Sequence, residues 1–97
     1  MDIEEVKKKI SHILKEELAG KEFSAFFFGS RVSGTATSRS DLDVGIEGSA
    51  PLPLEILRSI RARTDALRTL YTVDVVDFSN LSDDFKKVAK LHTEIIV

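Results

Sequence analysis

Two acidic residues placed one apart in an apolar strand constrain this chain more than any other feature of its sequence. The surrounding segment, residues 26–46, is typical of an apolar strand, a small-residue turn, a short polar segment and a second strand. Successive side chains of a strand point to opposite faces, so Asp41 and Asp43 share one face and lie roughly 6–7 Å apart along it. Leu42 and Val44 then point to the other face, toward a core. The second strand is therefore expected to cover a core with one face and to expose two carboxylates on the other.

A divalent metal and a phosphate group are the ligands that this segment favours. Two carboxylates on one face repel each other unless a cation lies between them. Magnesium sites commonly combine one or two carboxylates with the phosphate oxygens of a substrate. Gly29 and Ser30 precede the acids in a turn, and backbone N–H groups at the start of the following segment would face a bound anion. The segment therefore predicts a site for a metal-bound phosphate compound.

The hydrophobic periodicity of the whole chain predicts alternating helices and strands. The predicted helices span residues 3–19, 54–69 and 83–91, and residues 30–36 are predicted to form a short helix or a helical turn. The predicted strands span residues 23–28, 41–47 and 71–78, and residues 94–97 form either a short edge strand or a frayed tail. The connection between the first two strands is too short for a full crossover helix, so these strands should be antiparallel neighbours. The order α-β-α-β-α-β-α predicts an α/β (α+β) fold with a small mixed sheet of three to four strands and helices packed on it.

The apolar side chains of the helices are expected to face the sheet. In the third predicted helix they are Leu54, Leu57, Ile60 and Leu67. In the last predicted helix they are Phe85, Val88 and Leu91. The third helix also carries basic residues that are either solvated or directed at a nucleotide, RNA or an acidic partner, namely Arg58, Arg61, Arg63 and Arg68. Each helix is thus predicted to bury one face and to solvate the other.

Length and composition indicate one small globular domain that spans residues 1–97. The net charge is −2, so no overall positive field favours nucleic acid. The chain has no cysteine, which excludes a disulfide framework and fits a reducing compartment. No apolar run approaches about 18 residues and the N-terminus is acidic, so neither a membrane span nor a signal peptide is expected. We therefore expect a cytoplasmic protein, and the sequence leaves open whether it forms a homo-oligomer.

A third carboxylate on a later strand completes the predicted site. Asp74 lies between two valines, in the same context as Asp43, and should therefore face the open side together with Asp41. Asp77, the alternative third acid on this strand, has the opposite parity and lies near the strand end, so we prefer Asp74 for the site and interpret Asp77 as a capping or turn residue. Three carboxylates can hold two divalent ions roughly 3.5–4 Å apart, and such pairs of ions support displacement at phosphorus.

Other phosphate and metal motifs do not fit this segment. A P-loop requires a lysine after its second glycine, but Gly34 is followed by Thr35. A Gly-x-Gly-x-x-Gly dinucleotide fingerprint is absent from the sequence, and so are the later ligands of a calcium-binding EF-hand. The remaining interpretation is a triphosphate held by two metal ions, with Ser30 and adjacent N–H groups on its β- and γ-phosphates. Arg31 and Arg39 are candidate charge partners for that triphosphate.

The chain resembles the DNA polymerase beta-like nucleotidyltransferase superfamily in the pattern Gly29-Ser30-Arg31, Gly34, Ser40-Asp41-Leu42-Asp43 and the later Asp74. It is most similar to the minimal nucleotidyltransferases that act as antitoxins of HEPN-domain toxins. The resemblance implies a nucleotidyltransferase fold, two Mg²⁺ ions, ATP as substrate, and transfer of AMP to a tyrosine hydroxyl of a HEPN-domain partner.

The same resemblance assigns roles to individual residues. It implies that the catalytic and metal-binding residues are Asp41, Asp43 and Asp74. It implies that the nucleotide- or phosphate-binding residues are Gly29, Ser30, Arg31, Arg39 and Ser40. The chain departs from the family's usual pattern at Val32-Ser33, where many relatives carry Ala-Arg, and at Gly45, where an aliphatic residue is common.

Two other functions stay open at this point. The domain could neutralise a partner by covering its surface, with acids that no longer catalyse. It could instead transfer a nucleotide to a nucleic acid end or to a small molecule, although such enzymes usually carry a further domain for the acceptor.

Overall fold

The computed structural model describes residues 2–29, 41–89 and 91–97. The helices of this part are α1 (Ile3–Glu17), α2 (Leu54–Asp65) and α3 (Asp83–Ala89), with a 3-10 helix at Phe78–Asn80. The strands are β1 (Phe23–Phe28), β2 (Asp41–Gly48), β3 (Thr72–Asp77) and β4 (Thr93–Ile95). The predicted helix 30–36 falls outside the described residues.

Both long helices end earlier than predicted. α1 stops at Glu17, and the chain turns away through Gly20, which adopts a φ of +80°. α2 stops at Asp65 because the next turn tightens, with the N–H of Leu67 bonded to the carbonyl of Thr64 at 3.2 Å. The predictions that these helices extend to residues 19 and 69 are therefore wrong by a few residues at the C-terminal ends.

The four strands form one mixed sheet in the order β3-β2-β1-β4. β1 pairs antiparallel with both β2 and β4, which confirms the predicted antiparallel neighbours. β2 pairs parallel with β3, so the chain between them crosses over through α2. β4 is a short edge strand, the first of the two alternatives for the C-terminal segment, and the N–H of Ile96 continues the pairing to the carbonyl of Ala25 at 2.8 Å. The predicted α+β fold with a small mixed sheet is confirmed.

The main core lies between one face of the sheet and the two long helices. Leu42, Val44 and Ile46 of β2 are fully buried there against α1 and α2. α1 begins with a cap in which the Asp2 carboxylate accepts a hydrogen bond from the N–H of Glu5 at 2.9 Å. This face of β2 is the one predicted to cover a core, so the opposite face is left for its acids.

Two arginines of α2 stabilise the fold. Arg61 donates to the carbonyl of Val75 on the edge strand β3, at 2.9 Å and 3.3 Å. Arg63 forms ion pairs with Glu16 and Glu17 of α1, which joins the two helices. The hydrogen bond from Arg63, and then the charge of His12, hold the pKa of Glu16 below its ordinary value. These contacts give Arg61 and Arg63 a structural role.

A small aromatic cluster of Phe26, Phe28 and Phe78 covers part of the opposite sheet face. The Phe78 ring packs edge-on against Phe26 and Phe28, with centroid distances of 5.0 Å and 4.9 Å. Gly45 makes this packing possible, because a Cβ atom there would lie 2.6 Å from Cε2 of Phe26 and 2.8 Å from Cε1 of Phe78. The glycine that departs from the family pattern therefore leaves the space that two aromatic rings occupy.

The prediction that the apolar residues of the last helix face inward is wrong. Phe85, Val88 and Leu91 are 48%, 70% and 72% exposed. α3 is only seven residues long and contains no buried residue. The apolar residues of α3 have helical spacing, but no other element in the described part of the chain covers this apolar face. The predicted burial of Leu54 at the start of α2 is also wrong, because its side chain is 58% exposed.

None of the described helices is long and apolar enough to cross a membrane.

Candidate nucleotide site

The three acids predicted to act together lie on two adjacent strands. In the parallel pair of β2 with β3, Asp43 is the direct partner of Asp74, and Asp41 is the partner of Thr72. Side chains at paired positions of neighbouring strands point to the same face of a sheet. All three carboxylates therefore share the face opposite the main core, where Asp43 is half-buried and the other two are exposed.

Gly29 brings the turn after β1 directly against one of these acids. It adopts a φ of +89°, a left-handed conformation that glycine tolerates and other residues rarely adopt. A Cβ atom at this position would lie 2.6 Å from Oδ2 of Asp43, well inside contact distance. Phe28, the preceding residue, is the cross-strand partner of Asp43. The backbone of the turn and the carboxylate are thus neighbours, as the predicted phosphate and metal site requires.

The other predicted phosphate-binding residues cannot be placed on this geometry. Ser30, Arg31, Arg39 and Ser40 lie outside the described residues. Their assignment to the triphosphate stays a prediction from the sequence and from the family resemblance.

The side chain of Asp77 accepts hydrogen bonds from backbone N–H groups and points away from the face that the other acids share. Its side chain is buried, and its Oδ1 accepts from the N–H of Ser79 at 2.9 Å. Its Oδ2 accepts from the N–H of Leu52 at 2.8 Å. Both oxygens therefore hold the end of β3 and the connection that leads into α2. This is the capping role expected for Asp77, and it leaves Asp74 as the acid of β3 on the open face.

The donor chemistry of the shared face suits magnesium. Carboxylate oxygens are hard ligands, and magnesium is commonly held by one or two of them together with phosphate oxygens. No three acidic or histidine side chains among residues 2–29, 41–89 and 91–97 converge on a common point. Asp41 and Asp74 are exposed on the same face of the sheet as the half-buried Asp43. The three residues therefore fit a divalent cation, because they offer carboxylate oxygens and their side chains share one face of the sheet.

Sequence reasoning missed the residues of α3 and of the segment after it that line a cavity together with Gly29. The only signal in the sequence is the apolar spacing of Phe85 and Val88, which predicts a buried helix face, and the sequence assigns no role to His92. In the structure these residues line one cavity with Gly29, the residue that approaches Asp43. Apolar spacing alone cannot distinguish a face that packs on a core from one that lines a cavity.

Comparisons with known proteins agree with this architecture. The family described as polymerase beta, nucleotidyltransferase matches residues 8–97. A curated relative, the probable protein adenylyltransferase MntA of Haemophilus influenzae, is 27% identical over 90 residues, which cover 93% of this chain and 78% of the relative.

Solved structures give the same result for the fold. A complex of tri-AMPylated Shewanella oneidensis HEPN toxin with MNT antitoxin matches with a TM-score of 0.71 at 18% identity, over 97% of this chain and 71% of the other. A toxin–antitoxin structure with AMP-PNP matches with a TM-score of 0.66 at 20% identity, over 94% of this chain and 72% of the other. At these identities the likeness shows the fold.

Proposed function

The chain belongs to the polymerase beta nucleotidyltransferase family, and on that premise we propose that it transfers AMP from ATP to a hydroxyl group of a protein partner. The observation that carries the proposal is the shared face of Asp41, Asp43 and Asp74, with the turn at Gly29 packed against Asp43. This arrangement combines metal ligands with a backbone turn that suits phosphate, at one end of the sheet.

The roles of the acids follow from the chemistry of the transfer. Bound magnesium ions supply stabilisation of the triphosphate charge and lower the pKa of the attacking hydroxyl. Asp41 and Asp43 would hold these ions. Asp74, on the neighbouring strand, would hold the ion on the acceptor side and take the proton of the attacking hydroxyl. The hydroxyl oxygen bonds to the α-phosphorus, the bond to the β-phosphate oxygen breaks, and pyrophosphate leaves.

The triphosphate is held by the turn that follows β1. Gly29 lets the backbone approach Asp43, and Ser30 with the adjacent N–H groups donates hydrogen bonds to the β- and γ-phosphates. Arg31, Arg39 and Ser40 supply charge and hydrogen bonds to the same group. The match to a solved toxin–antitoxin structure with AMP-PNP supports an adenine nucleotide as the donor.

The acceptor that we propose is a tyrosine hydroxyl of a HEPN-domain toxin, which makes this chain an antitoxin. Two relatives support this choice. The Haemophilus influenzae relative is named a probable protein adenylyltransferase, and the Shewanella oneidensis complex contains a tri-AMPylated HEPN toxin.

A second function, neutralisation by covering the partner, is favoured by one observation. Four large apolar side chains are exposed on α3 and the segment that follows it: Phe85, Val88, Leu91 and Ile95. Exposed apolar surface of this kind is typical of protein contacts. In this alternative the acids are dispensable and binding alone inhibits the toxin.

The deciding experiment uses ATP labelled at the α-phosphate, Mg²⁺, and a HEPN-domain protein, starting with the product of the adjacent gene. We expect label on a tyrosine of the partner, and no label above background with the Asp41→Asn, Asp43→Asn double variant. A double variant that still neutralises the partner fully would favour covering. Absence of transfer from any of the four nucleotides would refute the proposed activity.

A further inference from the structure

We propose that an apolar cavity between β1 and α3 receives the base of the nucleotide and holds it by stacking rather than by hydrogen bonds to its edges. This inference rests on the proposed function, because it assigns the base of a nucleotide whose phosphates lie at the acids.

The cavity has a volume of about 280 Å³ and is lined by Phe28, Gly29, Phe85, Val88, Ala89 and His92. Sites for small ligands are mostly apolar and aromatic, with a few polar groups, and typically measure about 300–1,000 Å³. This cavity is slightly smaller than the lower limit of that range. It therefore suits one heteroaromatic ring system, a part of a nucleotide rather than the whole.

Its position connects it to the phosphate end of the site. Gly29 lines the cavity and is also the residue whose missing side chain leaves room for Oδ2 of Asp43. Phe28 lines the cavity and is the cross-strand partner of Asp43. A nucleotide with its phosphates at Asp43 thus has the cavity beside it, on the strand that pairs with β2.

The walls carry apolar surface that the described part of the chain does not bury. Phe85 touches the aromatic cluster through an edge contact with Phe78, at a centroid distance of 6.1 Å, and it stays about half exposed. Val88 is more exposed still and belongs to neither core cluster of the described residues. An apolar helix face next to a polar site is explained if a ligand ring covers it. Stacking of a base on an aromatic side chain typically strengthens binding by about 5- to 150-fold.

The lining also predicts how the base is selected. Among the described residues around the cavity, His92 alone carries a polar side chain, and it is exposed. Strong discrimination between bases requires buried polar groups that pair with the edges of the correct base. The cavity should therefore distinguish bases by the area of the ring. We expect ATP and GTP to bind alike, and both to bind more tightly than CTP and UTP.

The test measures binding by titration calorimetry in the presence of Mg²⁺, with a non-hydrolysable ATP analogue and with tripolyphosphate, which has no base. We expect Phe85→Ala to lower the affinity for the ATP analogue by about 10-fold and to leave the affinity for tripolyphosphate unchanged. Phe85→Leu keeps an apolar contact with Phe78 but removes the ring, so it should also lower the affinity for the analogue. Leu91→Ala is the matched control, because Leu91 is exposed and apolar but does not line the cavity.

The outcomes separate this inference from the proposed function. If the wild-type chain binds tripolyphosphate and the ATP analogue, and both Phe85 variants bind the analogue as the wild type does, the base site is refuted while the proposed function stands. The base site is also refuted if Phe85→Ala weakens only the binding of the HEPN-domain protein, since the surface is then a partner contact. If the wild type binds neither ligand, the proposed function is refuted together with the base site.

Discussion

Asp43 and Asp74 are direct partners across the parallel pair of β2 and β3, and their side chains share the open face of the sheet. Three residues further along β3, Asp77 points to the other face and is bonded by both carboxylate oxygens to backbone N–H groups. Two acids of one strand thus have separate expected roles, one chemical and one structural. Single substitutions can separate them.

Replacement of Asp74 by Asn should lower nucleotide transfer by about 100-fold or more, because the proposed proton acceptor and metal ligand is lost. The free energy of unfolding should stay near that of the wild type, since Asp74 is exposed. Replacement of Asp77 by Asn should instead lower the free energy of unfolding by about 2–3 kcal/mol. The substitution replaces one accepting oxygen by an NH2 group, which cannot accept the hydrogen bond from the backbone N–H.

Both quantities can be measured on the same preparations, by transfer of labelled AMP and by urea unfolding. A stable but inactive Asp77 variant, together with an active Asp74 variant, would contradict the assignment of the third acid.

Replacement of Gly29 by Ala should abolish binding of Mg²⁺ and nucleotide. The added Cβ would lie 2.6 Å from Oδ2 of Asp43, and the φ of +89° would be strained by about 1–2 kcal/mol. Gly20→Ala is a matched control, because Gly20 has a φ of +80° but nothing within 4 Å of the added atom. We expect a similar backbone cost for Gly20→Ala with nucleotide binding intact, measured by calorimetry and urea unfolding. Equal nucleotide affinity in the two variants would show that the contact with Asp43 is unimportant.

Replacement of Gly45 by Ala should destabilise the fold by about 1–3 kcal/mol, because the added methyl group overlaps the rings of Phe26 and Phe78. A second substitution that removes one ring, Phe26→Leu, should restore part of that loss. A double-mutant cycle of urea unfolding measures the coupling between the two positions. Additive effects would argue against a direct packing of the rings on Gly45.

The ion pair between Glu16 and Arg63 should make stability depend on pH on the acidic side. The hydrogen bond from Arg63, and then the charge of His12, lower the pKa of Glu16 in the folded state. The charged form of Glu16 is therefore stabilised by folding, so its contribution is present at neutral pH and is lost as the pH falls through the lowered pKa. The pKa of Arg63 is raised by Glu16 and Glu17, so its contribution persists at neutral pH.

Urea unfolding of the wild type and of Glu16→Gln, from neutral to strongly acidic pH, checks this expectation. The difference between the two proteins should be largest near neutral pH and vanish in acid. High salt should reduce the difference near neutral pH, because both side chains are exposed to solvent. If the free energies of unfolding of the two proteins differ by the same amount at every pH, the effect of the substitution does not come from the charge of Glu16.

Much of the site could be predicted from the sequence because its main rule is local. The alternation of side chains along a strand is imposed by backbone geometry, so Asp41 and Asp43 had to share a face and Leu42 had to oppose them. The same rule placed Asp74 and Asp77 on opposite faces of their strand. The short connection between β1 and β2 made antiparallel pairing the expected arrangement, and the structure confirms it.

The tertiary structure alone decided which residues meet. The register that pairs Asp43 with Asp74, the approach of Gly29 to Asp43, and the packing of Phe26 and Phe78 over Gly45 depend on contacts between distant segments. The wrong prediction of burial for α3 has the same origin. Helical spacing of apolar residues indicates that one face of the helix is apolar, but it does not indicate which element, if any, packs against that face. Local geometry determines which way a side chain points. Packing over the whole chain determines what it contacts there.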